Sequence, residues 1–132
     1  MGLTLRAGHT EGLRPDDPYP QWSYTGFGLF RRRLARHIGI DLDQMRQFGG
    51  EGDWSAVASP LRHLLDHADD RGELTAQQAA ELAPALRQAL DEIGQDNDPD
   101  EDFLWDYDQR AGTELVRLLE VCARDNVPVQ FQ

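Results

Sequence analysis

The chain has 132 residues, with 24 acidic and 13 basic side chains and a formal net charge of −11. That length is expected to give one small domain, 1–132, with a single core and no separate catalytic lobe. No stretch approaches the ~18 apolar residues of a membrane span, and the start Met1-Gly2-Leu3-Thr4-Leu5-Arg6 lacks the apolar block of a signal peptide. A soluble, cytoplasmic protein with no membrane partner is expected. Cys122 is the only cysteine, which excludes an internal disulfide and a cysteine zinc cluster and fits a reducing compartment.

Leu3-Thr4-Leu5-Arg6 alternates apolar and polar side chains, as does Val127-Pro128-Val129-Gln130-Phe131. Both read as short strands, and because a lone strand is unstable the termini are expected to pair with each other on top of helices. Residues 8–21 hold Gly8, Gly12, Pro15, Pro18 and Pro20 without periodicity and read as a surface loop or arm. Phe27, Phe30, Leu34 and Ile38 recur on one helical face, predicting a first helix over 26–37 that stops at Gly39. Residues 41–48 predict a short second helix burying Leu42, Met45 and Phe48 before Gly49-Gly50. Ser59-Pro60 starts a third, with Ser as cap and Pro at the first position, running to about Asp66 or His67. Thr75-Ala76-Gln77-Gln78 has capping-box spacing and opens a fourth along Ala79, Leu82, Leu86, Leu90 and Ile93, with a kink or break expected at Pro84. Asp98-Pro99-Asp100-Glu101 opens the fifth and longest, whose apolar stripe is Leu104, Tyr107, Ala111, Leu115, Leu118 and Cys122. The fold class is therefore α+β and mainly α-helical, about five helices in a compact domain with a small two-stranded sheet from the termini.

Charge divides the chain. Every basic residue is Arg; residues 1–62 carry a net +1 and residues 63–132 a net −12. Residues 91–108 contain nine acids and no Arg. Such a surface repels nucleic-acid phosphates and attracts a basic protein partner, so Asp98, Asp100, Asp102, Asp106 and Asp108 are candidate partner-binding residues. The bland alternative is a solvated loop and a helix start, where carboxylates favour the positive end of the dipole. Arg31, Arg32, Arg33 and Arg36 form the one basic patch, available to a partner or paired internally.

Signals for chemistry are thin. His63 and His67 stand four apart around Asp66, a spacing that resembles the inverted zincin signature His-x-x-Glu-His; with Asp69 nearby, these are weak metal candidates for a metal-dependent hydrolase. Residues 66–78 also invite comparison with a calcium-binding EF-hand. Setting Gly72 at the sharp turn puts His67, Asp69 and Arg71 at the leading ligand positions and Gln78 at the last. An imidazole, a cation and a neutral amide are poor calcium ligands, so a degenerate, ion-free EF-hand-like turn is the expectation. No Gly-x-Ser-x-Gly, phosphate loop or dinucleotide fingerprint is present, and Cys122 on the core face of the last helix reads as inert. No catalytic residue and no cofactor are expected.

Trp22-Ser23-Tyr24-Thr25-Gly26-Phe27, the Gly39-Ile40-Asp41-Leu42-Asp43-Gln44-Met45 run, and His67 with Gly72-Glu73-Leu74-Thr75 and Ala83-Pro84-Ala85-Leu86-Arg87 resemble a group of small proteins of actinobacteria and their phages. The resemblance covers most of the chain after Gln21 and brings no activity with it. Arg71 and Gln78 stand where the group carries acids. The reading that follows from the residues is a small acidic binding module, an inhibitor or immunity-type protein that masks a basic partner surface.

Overall fold

A computed structural model describes residues 2–10, 14, 16–46, 48–67, 72–97 and 102–132. Strand β1, Gly2–Ala7, buries Leu3, Leu5 and Ala7 on one face and leaves Thr4 and Arg6 on the other, the alternation that a half-covered strand requires. Its partners are β2, Gln21–Ser23, and β4, Val129–Phe131; β4 in turn pairs with β3, Glu73–Leu74. The sheet order is β2-β1-β4-β3, antiparallel throughout. The expected pairing of the termini is present, with Leu5 opposite Phe131 and Ala7 opposite Val129. Among the described residues the sheet has four strands rather than the expected two; β2 and β3 are too short to show an alternation in sequence.

Among the described residues there are four α-helices: α1, Tyr24–His37; α2, Arg62–Leu65; α3, Ala76–Asp96; and α4, Phe103–Asp125; α1 and α4 pack on the sheet, and α3 packs along α4. Ser23 caps α1 by accepting from the Gly26 N–H, and Thr75 and Gln78 close a reciprocal capping box on α3. Helices α3 and α4 make the most extensive contact in the molecule. Gly112 permits it, since a Cβ there would sit 3.0 Å from a methyl of Leu90 and 3.3 Å from the Phe30 ring.

Several sequence expectations change, among them the helix expected to open at Ser59-Pro60, which begins at Arg62. The helix expected over 41–48 reduces to one 3-10 turn, Leu42–Gln44, because the chain reverses at Gly49 (φ +96°) and brings Gly50 against the Gln44 backbone. Leu42 and Met45 are nonetheless buried. No break occurs at Pro84: α3 runs unbroken from Ala76 to Asp96, with Pro84 and Ala80 on its exposed side, where the carbonyl that Pro84 cannot satisfy meets water. The opening expected at Asp98 lies outside the described residues, and the cap observed is Asp102, accepting from Trp105 N–H at 3.0 Å. The stripe of α4 is also displaced at its start. Trp105 and Asp108 face inward, whereas Leu104 and Tyr107 face outward.

The segment 8–20 has no regular structure among its described residues, yet it is anchored. His9 Nε2 lies 2.9 Å from Asp17 Oδ2, both side chains buried, and Arg14 reaches Asp125 at 3.4 Å. Cys122 is buried, and burial pushes its thiol up to about 12, as an inert core residue requires.

Candidate functional site

The displaced stripe of α4 builds a groove. Between α1 and the first turns of α4 lies an open cavity of about 700 Å³. Phe103 (78% exposed) and Leu104 (55%) form one wall with the ring of Tyr107, and Leu29 (49%) stands on the other. Tyr107 is fixed by its hydroxyl, which donates to the Gln21 carbonyl. Arg32, Arg33 and Arg36 project along the α1 side. Asp102 and Asp108 line the α4 side, so the fold brings members of the two sequence-predicted partner sets into one place.

Those residues differ in what they can do. Arg33 is a clamp: it pairs with Asp102 at 3.2 Å, donates to Asn97 Oδ1 at 3.4 Å, lies 3.9 Å from Asp108, and stacks over the Trp105 ring at 5.2 Å. The Trp105 N–H bonded to Asp102 is the main cause holding that carboxyl below the usual range. Arg32 pairs with Asp43, and Asp106 with Arg110 one turn on. Arg36 is exposed and has no carboxylate partner among the described residues. Asp98 and Asp100 lie outside the described residues.

Arg31 is a correction to the basic patch. It is 3% exposed, and one guanidinium nitrogen donates to the carbonyls of Leu64, Leu65 and His67 at the end of α2 while the group stacks over Phe27. A four-residue helix cannot satisfy its own last carbonyls, so a buried cation takes them. Arg31→Met is expected to cost about 3 kcal/mol through buried carbonyls left without a donor, read as a shift of the denaturant midpoint at unchanged slope. A midpoint equal to that of the parent would show that water replaces the guanidinium.

Asp108 is the second correction. It is 6% exposed at the floor of the groove and accepts from the Trp22 indole N–H at 3.2 Å, so little of it is left to meet a partner. Burial pushes its carboxyl above the ordinary 3.8, against the Trp22 bond and Arg33, which favour the charge. A carboxyl raised in the folded state contributes stability below its unfolded value, and that contribution is lost as pH rises through the folded one. Asp108→Asn keeps an acceptor for Trp22 without the charge. It is therefore expected to stabilise the fold at pH 7 and to lose that advantage below about pH 4, measured by denaturant midpoints at both pH values. A loss of stability at pH 7 would show that pairing with Arg33 outweighs burial.

A second, polar cleft of about 630 Å³ holds His63, Asp66 and His67. α2 ends at Leu65, so His67 lies beyond the helix and the two imidazoles do not share a helical face. His63 Nε2 is 2.9 Å from Glu81 Oε1 and holds that carboxyl below its usual range. His67 donates from Nε2 to the Glu73 carbonyl at 3.1 Å and stacks on Phe131 at 3.9 Å. Burial raises the Asp66 carboxyl. Among the described residues no three His, Cys, Asp or Glu side chains are grouped to hold a metal; Asp69 and Arg71 lie outside them. In the EF-hand comparison, Gly72 has the positive φ (+91°) that a sharp turn uses, residues 68–71 lie outside the described residues, and Gln78 is engaged in the α3 capping box.

No family model, curated protein or solved structure matches this chain. No helix among the described residues is long and apolar enough to cross a membrane.

Proposed function

We propose that this protein is a non-enzymatic binding module, of inhibitor or immunity type, that contacts a basic protein through the α1–α4 groove and the acidic residues beside it. The observation that carries this reading is the placement of Leu29, Phe103 and Leu104 around one groove, each about half exposed or more. Scattered exposed apolar residues need no explanation, but clustered ones rimmed by charge are what protein contact sites present. The net −12 of residues 63–132 supports a cationic partner and a salt-sensitive encounter.

Leu29→Gln with Leu104→Gln removes the apolar contact without changing charge, at positions exposed enough to leave the core alone. From extracts of the native host, a partner retained by the parent and by an Arg87→Ala control is expected to be lost by the double variant. Equal retention by all three proteins would count against the groove as the contact face.

A further inference from the structure

We infer that the α1–α4 groove is a binding site for a small amphipathic anion, a single-chain acyl carboxylate whose chain lies along Leu29, Leu104 and Tyr107 and whose head meets the guanidinium of Arg36. The site is independent of the protein partner, although an occupant covers Leu29 and Leu104 and so competes with that contact. At about 700 Å³ the cavity falls within the roughly 300–1,000 Å³ of small-molecule sites, which likewise combine apolar walls with a few charged groups.

Helix α1 orders that mixture. Leu29, Arg32, Arg33 and Arg36 stand at i, i+3, i+4 and i+7, one face of the helix, apolar at one end and cationic at the other. Arg33 meets Asp102 at the start of α4, whereas Tyr107 further along α4 bonds to Gln21 ahead of α1. The two helices therefore run in opposite senses, and the cationic end of the groove lies at the start of α4. From Leu29 to Arg36 is about 10 Å of helix rise, room for an extended acyl chain of medium length with its head.

Charge sets the sign of that head. Among the described lining residues, Arg32, Arg33 and Arg36 stand against Asp102 and Asp108, a net +1. Asp102 is engaged by Arg33 and Asp108 by the Trp22 N–H, and Arg36 has no carboxylate partner among the described residues. Arg32 is tied to Asp43 in an exposed pair, a weak kind of contact. Arg32 and Arg36, one turn apart, repel each other, and an anion between them relieves that repulsion. The net −11 of the chain opposes anions at long range, but salt screens it beyond about 8–10 Å, so the nearest groups decide inside the groove. Asp91, Glu92 and Asp96 are not among its lining, and Glu92 is paired with His37.

Calorimetric titration with three probes that share one chain tests this: octanoate, octanol and octyltrimethylammonium, each below its micelle-forming concentration. Octanoate is expected to bind the parent one-to-one and at least fivefold tighter than either of the others. Arg36→Gln is expected to weaken octanoate at least threefold and leave octanol unchanged, whereas Leu29→Gln/Leu104→Gln weakens both, each variant melting within a few degrees of the parent. No saturable uptake of octanoate at millimolar concentration, octanol or the ammonium probe binding as tightly, or indifference to either variant would each overturn the acyl carboxylate as occupant. Should a variant melt earlier than that, the ranking of the three probes on the parent decides.

Discussion

Deleting residues 127–132 is expected to abolish cooperative folding, or to lower the melting temperature by more than about 20 °C. Strand β4 is an interior strand, paired with β1 on one side and β3 on the other, so its loss opens two edges at once. Val129 and Phe131 are buried, and each loses roughly 1.5–3 kcal/mol of apolar burial. The backbone bonds Phe131 N–H to Gly72 O (3.0 Å) and Gln132 N–H to Thr4 O (2.8 Å) go with them, and His67 loses the ring on which it stacks. Against a total stability of roughly 5–15 kcal/mol for a domain, such a loss is decisive. Thermal melting followed by circular dichroism checks it, and a melting temperature within a few degrees of the parent would show that α4 alone holds β1 and β3 in place.

Trp22→Ala is expected to cost about 3–5 kcal/mol, a fall of roughly 10–20 °C in melting temperature. Trp22, on β2, is buried against α1, stacked on Phe30 with ring centroids 5.0 Å apart, and tilted against Phe27 at 5.4 Å. Truncation leaves a cavity under the groove and removes the neutral donor that meets the Asp108 carboxylate. Trp22→Phe separates the two effects, because it keeps an aromatic body but loses the N–H. Its cost is expected to be smaller and to shrink on acidification, as protonation relieves the buried charge of Asp108. Chemical denaturation at neutral and acidic pH reads both variants. A Trp22→Ala loss under 1 kcal/mol would show that the site collapses around the missing ring.

Elements long enough to repeat their pattern were legible in the sequence. The stripe of α3 and its Thr75–Gln78 capping box, the face of α1 carrying Phe27, Phe30 and Leu34, and the alternation of β1 and β4 all follow from local periodicity and local hydrogen bonding. The acidity of the second half was legible for the same reason, since charge is counted rather than folded. Strands β2 and β3 were not, because they span three and two residues and no flanking alternation extends them as Val127-Pro128 extends β4.

The groove depended on register at one helix start. Sequence periodicity favours Leu104 and Tyr107 as inward residues, yet the buried space beside Gly94 is filled by Trp105, which turns Leu104 and Tyr107 outward. An exposed apolar pair followed by a buried Asp was the available signal, and no local rule gives it priority over the seven-residue rhythm. Likewise, three consecutive arginines look equivalent in sequence. The sequence by itself determined the α+β class, the pairing of its terminal strands and the sign of its charge, because propensity, alternation and charge are properties of neighbouring residues. Only the tertiary structure decided that Arg31 seals the end of α2, Arg33 clamps α4, and Arg36 is left at the groove's rim, because each arginine's role depends on carbonyls and carboxylates distant in sequence that packing brings within hydrogen-bond reach.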